Sequence, residues 1–397
     1  MRRPEEAKPL RPIGLYLHIP FCRRKCLYCD FCSFPGRTGD YHRYLEALKQ
    51  ELRQRWNPQW QVATIYIGGG TPTVLPPSAL AGLLRVIKTV ARVEPQAEVT
   101  VEANPGTVDG PGLARLRAAG VNRLSLGAQS GADRFLKVLG RIHTTADVEN
   151  TVALARRAGF ANINLDLIYG LPGETLDDWR QTLRWAIALA PDHLSCYGLQ
   201  VEPGTPLQAM VRAGRVRLPT DDEVSAMFMA NVRILPAAGY EQYEIANFAR
   251  RPRAGEAADG DYRCRHNLIY WRYQDYLGLG LAAASTVAGR RWVNLSSLEA
   301  YLSAVAAGTV PTATVETLTP RQAMAEMLML GFRLTTGPDP DDFARRWGVP
   351  LDQVLGERVQ PLLSGGFLQK AAGTYRLTPR GMLLSNQVLA NLLAPLL

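Results

Sequence analysis

The chain has 397 residues, 47% of them hydrophobic, with a formal net charge of +9. That is room for one large domain plus a smaller one around a packed core. Only six of the 45 basic residues are lysine and the arginines are scattered, so no basic stripe of the kind a nucleic-acid binder needs is present. No apolar run approaches the roughly 18 residues of a membrane-spanning helix, although peripheral membrane association stays open. The charges of residues 1–12 are not followed by an apolar core, which argues against a signal peptide. Six cysteines, four of them clustered, suit a reducing compartment, and a cytoplasmic protein is expected.

In chain order, the first apolar, β-prone run covers residues 14–19. Directly behind it Cys22, Cys26 and Cys29 stand at Cys-x3-Cys-x2-Cys spacing. Three thiolates on so short a loop can each hold a different iron of one cubane and leave the fourth iron open to a small molecule. Zinc, with Cys32 recruited as a fourth ligand, is the alternative. Structural zinc sites usually pair two knuckles across a longer spacer, whereas all four cysteines here lie between 22 and 32. Further β-prone runs follow at 63–67, 98–102, 123–127, 162–168 and 193–199. Between them lie stretches of helical spacing such as 40–56, 77–93 and 175–189. Strand–helix alternation predicts an α/β fold with parallel βα units, and six units make a partial (β/α)6 barrel.

The chemistry-bearing residues sit just after the strands, where a βα barrel gathers its site. Gly68, Gly69, Gly70 and Thr71 follow the second strand, and glycines there let backbone amides approach a ligand closely. Glu102, Gln129, Arg141 and Asp166 follow later strands. Each has a plain alternative, a solvated charge or a helix cap, but together they mark one site. Beyond the barrel, residues 221–235 read as a helix and 250–261 as an exposed loop. An aromatic patch, His266 to Trp271, comes next. The C-terminal part shows two short strands around Ala372 and Gly373 and then a helix capped by Thr378, a winged-helix-like module. The predicted organisation is 1–235 for the barrel, 236–305 for an aromatic-rich connection and 306–397 for the C-terminal module.

The run from Tyr16 through Cys29 resembles the cluster loop of radical S-adenosylmethionine (SAM) proteins, and Gly68 to Thr71 resembles their glycine motif. That resemblance implies a [4Fe–4S] cluster whose open iron takes the amino and carboxylate groups of SAM. It also implies reductive cleavage of the sulfonium to a 5′-deoxyadenosyl radical and a reductant such as flavodoxin or ferredoxin. Blocks at 102–106, 122–130, 139–143 and 164–172 are similar to the oxygen-independent coproporphyrinogen III oxidase-like family. By that resemblance Cys22, Cys26 and Cys29 ligate the cluster. Tyr16, Tyr28, Gly69, Gly70, Thr71, Glu102, Gln129, Arg141 and Asp166 bind SAM.

Two departures bear on the branch. The decarboxylating oxidases place a fourth cysteine two residues after the third, where this chain has Phe31, with Cys32 one residue late; they also carry a longer extension before the cluster than the 21 residues found here. The segment His266, Asn267, Leu268, Ile269, Tyr270, Trp271 is similar to the His-Asn-x2-Tyr-Trp signature of the haem chaperone branch. It implies a haem-contacting His266, a haem cofactor and a haem-acceptor protein as partner. The alternatives are a structural histidine at 266 and, for the chain, the enzyme activity, oxidative decarboxylation of coproporphyrinogen III. Cys264 is read as an iron or thioether partner or as an inert thiol like Cys196, and Cys32 as a spare thiol.

Overall fold

The computed structural model describes residues 10–252 and 261–396. Most of the signal-peptide reading (residues 1–9) and most of the expected loop (253–260) therefore lie outside the described residues. The first six strands of the main sheet are β1 (Arg11–Ile19), β2 (Trp60–Gly69), β3 (Arg92–Ala103), β4 (Arg123–Gln129), β5 (Ile163–Tyr169) and β6 (His193–Gly198). They pair in parallel in that order. Helices α1 (Tyr41–Arg55), α2 (Pro77–Val90), α3 (Gly110–Ala118), α4 (Asp133–Val138), α5 (Thr145–Arg157) and α6 (Leu176–Ala188) fill the crossovers. This is the partial (β/α)6 barrel expected from the alternation.

The helices begin where the sequence supplies caps. Thr144 and Thr175 form capping boxes with Asp147 and Asp178, each side chain accepting from the other's backbone N–H, which satisfies two orphan amides at each start. The outer face of the sheet and the inner faces of the helices make one core. On α2, Leu80, Leu83, Leu84 and Ile87 are all fully buried against it. Each contributes on the order of 1.5–3 kcal/mol.

The sheet continues beyond the six units. Helices α7 (Pro206–Arg212) and α8 (Asp221–Ala237) lead to β7 (Tyr240–Gln242) and β8 (Asn247–Arg250), antiparallel strands added beside β6. The aromatic patch forms α9 (Arg265–Trp271). After it β9 (Tyr276–Leu279) runs parallel to β1, and β10 (Ala284–Val287), β11 (Arg290–Asn294) and β12 (Thr312–Thr317) extend that edge as an antiparallel meander. Among the described residues the sheet thus has twelve strands, ordered β12-β11-β10-β9-β1-β2-β3-β4-β5-β6-β8-β7.

The C-terminal part is helical, opening with Pro320–Gly331 and Pro340–Trp347. It closes with the hairpin Leu368–Ala371 and Thr374–Leu377, followed by Pro379–Leu383, whose cap Thr378 accepts from Gly381 N. Ala372 and Gly373 both have positive φ, as a two-residue hairpin turn requires. No helix among the described residues is long and apolar enough to cross a membrane.

Candidate functional site

Parallel strands covered on both sides usually read as continuous apolar runs. Here each strand alternates. Leu15, Leu17, Ile65, Ile67, Val99, Val101, Leu124, Leu126, Leu165 and Leu167 pack outward into the core. Their neighbours Thr64, Tyr66, Glu98, Thr100, Glu102, Arg123, Ser125, Asn164, Asp166, His193 and Ser195 are polar. Because successive side chains point to opposite faces, the polar set lines the concave side. The barrel interior is therefore a hydrogen-bonded polar lumen.

At the C-terminal ends of β1–β6 this lumen opens into a cavity of about 400 Å³. It is lined by Cys22, Cys26, Cys29, Tyr28, Gly69, Gly70, Thr71, Glu102, Gln129, Arg141 and Asp166. Two of the expected residues lie elsewhere. Tyr16 is behind the wall, its ring stacked on Tyr66 at 6.3 Å and its hydroxyl donating to His18 Nδ1 at 2.9 Å. His266 is deeper in the lumen, and Cys264 with it.

The cysteine loop is held by main-chain bonds at both ends. Phe21–Cys22 pairs with Phe34–Pro35, Leu27 N donates to Leu139 O at 3.0 Å, and Leu207 N donates to Leu27 O at 2.8 Å. His18 Nε2 donates to Cys32 O at 2.8 Å, tying the loop's far end to β1. The thiols of Cys22, Cys26 and Cys29 share the cavity wall, whereas the Cys32 thiol donates to Ser296 O at 3.5 Å and is off the lining. Burial pushes the Cys22 and Cys29 thiols above their ordinary range. Arg141 Nη1 donates to Cys26 Sγ at 3.3 Å, a cation placed to offset thiolate charge.

The glycine turn has structural reasons of its own. A Cβ on Gly70 would stand 2.6 Å from Phe21 O, and Gly69, at φ +114°, lies over the His18 ring. Gly69 N donates to Glu102 Oε2 at 3.0 Å, and Tyr66 OH donates to Glu102 Oε1 at 2.8 Å. Burial first, and then the nearby Asp166 carboxylate, raise Glu102 to about 7. Asp166 accepts from Ser125 Oγ and Asn164 Nδ2, both at 2.9 Å, and burial raises it as well. Gln129 ends β4 at φ 66°, where a register shift turns its side chain toward the cavity. Arg141 Nη2 also donates to Asn104 Oδ1 at 2.6 Å and Gly127 O at 2.8 Å, and Asn104 Nδ2 donates to Thr71 Oγ1 at 2.8 Å. Asn104, Tyr66 and Ser125 were not among the expected residues. Their signal was the polar alternation within otherwise apolar strands.

His266 is 1% exposed. Its Nδ1 is bonded to Thr64 Oγ1 at 2.6 Å and its Nε2 to Tyr270 OH at 2.8 Å, one nitrogen donating and the other accepting. The ring stacks on Tyr66 at 5.2 Å, and burial holds it neutral, with its pKa lowered to about 3. The Glu98 carboxylate caps α9, accepting from Arg265 N and His266 N at 3.0 Å each. Burial lifts the Cys264 thiol to about 12. Arg123 is 2% exposed and lies in the same layer; among the described residues it makes no ion pair and its Nε has no hydrogen-bond partner.

Residues 16–186 match the family model for the radical SAM superfamily, and residues 318–384 match that for the HemN C-terminal domain. The chain is 35% identical over 384 residues to a protein of Bacillus subtilis (strain 168) named heme chaperone HemW, covering 96% of this chain and 99% of that one. The chain belongs to the HemW family of radical SAM proteins. Other relatives of that name are 37% identical in Mycobacterium tuberculosis H37Rv (97% and 96% covered) and 34% identical in Escherichia coli K12 (97% and 99% covered). The solved coproporphyrinogen III oxidase HemN of Escherichia coli superposes with a TM-score of 0.81 at 24% identity, covering 97% of this chain and 90% of that one. That likeness shows the shared fold.

For a HemW-family protein the radical SAM domain implies a [4Fe–4S] cluster and SAM, and the donor set fits both. Three thiols share one wall, where a cubane spreads its ligands over separate irons; among the described residues no three His, Cys, Asp or Glu groups converge as a single metal ion requires. Two buried carboxylates face the same space, suiting a cationic ligand.

Proposed function

We propose that this chain is a haem chaperone that binds haem and passes it to acceptor proteins, with a cluster and SAM held at the barrel mouth. What carries the reading is full-length similarity to relatives named heme chaperone HemW. The cysteine loop adds support. Phe31 stands where the decarboxylating oxidases have a fourth cysteine, and Cys32 bonds away from the cavity. The runner-up, oxidation of coproporphyrinogen III, has behind it the fold-level likeness to HemN.

In this reading Cys22, Cys26 and Cys29 hold the cluster. When bound, cluster and SAM supply reductive one-electron chemistry at the sulfonium. The backbone of Gly69, Gly70 and Thr71 receives the methionine end of SAM. Glu102 and Asp166 would offset its positive charge, and Gln129 and Arg141 would orient it. Tyr28, on the loop between Cys26 and Cys29, would contact it from the cavity wall, and Tyr16 supports the wall from behind. His266 anchors α9; ligation of haem iron by it needs release from Thr64 or Tyr270.

Functionally we divide the chain into the barrel (1–235), the motif-bearing connection (236–305) and the C-terminal module (306–397), with the sheet running across both divisions. We assign the protein to the cytoplasm, with a flavodoxin or ferredoxin as reductant, a haem-acceptor protein as partner and peripheral membrane contact at most. Titration of the reconstituted protein with haem tests this. Saturable one-to-one binding, weakened in His266→Ala, is expected; a protein whose haem absorbance never saturates defeats the reading.

A further inference from the structure

A second cavity, of about 350 Å³, lies where the C-terminal end of α9 meets the C-terminal module. Its apolar wall includes Trp271, Met327 and Leu334, and its polar rim carries three arginines, Arg272, Arg345 and Arg346, against two carboxylates, Asp339 and Asp342. We propose that this cavity binds the edge of a planar macrocycle bearing carboxylates, with the Trp271 indole against the ring and the rim arginines on the acid groups. The proposal rests on the haem chaperone reading and deepens it, by placing the tetrapyrrole away from the SAM cavity and away from His266.

Four observations converge on it. His266, at one end of α9, is 1% exposed with both ring nitrogens occupied, while Trp271, at the other end, lines the second cavity. The Trp271 Nε1–H is buried with no acceptor among the described residues, an unmet donor beside the cavity. Arg272 makes no ion pair among the described residues. Arg345 and Arg346 share the single carboxylate of Asp342, which leaves them donors to spare. The wall is braced rather than loose: Arg346 Nη1 donates to Tyr273 O at 3.0 Å, Trp347 Nε1 donates to Met327 Sδ at 3.3 Å, and the Arg333 guanidinium lies over one face of the Trp271 ring at 4.6 Å. A cavity of mixed lining, with an indole on one wall and three arginines against two aspartates on its rim, matches the edge of an amphipathic macrocycle with ionised carboxylates.

The test is titration of the full-length reconstituted protein with haem and, separately, with iron-free protoporphyrin, followed by absorbance and tryptophan quenching. Arg272→Glu with Arg345→Glu should weaken binding of both by about tenfold or more. Trp271→Leu should do the same and Trp271→Phe, which keeps an aromatic face but loses the Nε1 donor, should weaken binding less than Trp271→Leu, while cluster absorbance and SAM affinity stay unchanged in every variant. Wild-type affinity in the double-arginine variant, where the parent protein binds haem, overturns the cavity assignment and leaves the chaperone reading standing. A parent protein that binds neither haem nor porphyrin overturns both.

Discussion

If the cavity holds SAM as proposed, Glu102 should make that binding sensitive to pH in the neutral range. Its shift from 4.5 to about 7 is worth about 3 kcal/mol, an upper value because the side chain opens on the cavity and water there screens it. The carboxyl is raised, so its unfavourable contribution is absent below about pH 4.5. It grows as the pH rises and is complete once the group is ionised above about 7. A cationic ligand needs the ionised form, of which about a tenth is present at pH 6 and about nine-tenths at pH 8. SAM affinity of the anaerobically reconstituted protein should therefore rise close to tenfold between those values, measured by calorimetry. Glu102→Gln can keep both local bonds, its amide oxygen accepting from Gly69 N and its NH2 donating to a turned Tyr66 hydroxyl. The variant should bind SAM weakly with no pH slope. Relative to the parent, its apoprotein should gain stability as the pH rises from 5 to 8. A parent affinity that is flat across this range, or a slope that persists in the glutamine variant, refutes the reasoning.

Cys22→Ser, Cys26→Ser or Cys29→Ser should abolish the cluster's visible absorbance after reconstitution, and Cys32→Ser, whose thiol bonds to Ser296 O, should retain it. Arg123 lowers the pKa of both Glu102 and Asp166, so Arg123→Met should move the pH midpoint of SAM binding upward from 7; an unmoved midpoint counts against a role for this cation. Gly70→Ala sets a methyl 2.6 Å from the Phe21 carbonyl, backbone that cannot step aside. It should cost about 1–3 kcal/mol in thermal or denaturant unfolding and loosen the cluster loop. Tyr66→Phe keeps the ring stacked on His266 and loses the bond to Glu102; any effect of SAM on haem affinity should shrink in it, read by haem titration with and without SAM.

The parts legible in the sequence are those whose own pattern defines them. The six barrel strands are short apolar runs between amphipathic helices, and the cysteine spacing and glycine turn are local. Strands β10–β12 carry no such pattern. β12 is almost wholly exposed, and its place comes from pairing with β11 rather than from burying a face, so the meander beside β1 was not foreseeable from periodicity. The same distinction separates the site residues. Cys22, Glu102 and Asp166 announce themselves as charged or ligating groups within or just after apolar strands. Tyr66 and Ser125 act through a partner on another strand and Asn104 through Thr71 and Arg141 on two distant loops, and only the fold reveals these partners. Tyr16 shows the converse: its motif is local, but its hydroxyl is spent on His18, so the ring braces the wall instead of lining it.

The position of α9 explains how one short motif can serve two places. Its N-terminal end is fixed by the Glu98 carboxylate and by the two bonds of His266, in contact with Tyr66, which in turn bonds to Glu102 at the SAM cavity. Its C-terminal end presents Trp271 to the second cavity. Freeing His266 for an iron would break a hydrogen bond, worth about 1 kcal/mol net, and leave a buried partner unsatisfied at a further 1–3 kcal/mol. An occupant at the Trp271 end meets less of that cost, because among the described residues Trp271 Nε1 has no acceptor and Arg272 no ion pair to give up. A histidine that holds the helix and a tryptophan that meets the ligand therefore fit the geometry better than a histidine doing both.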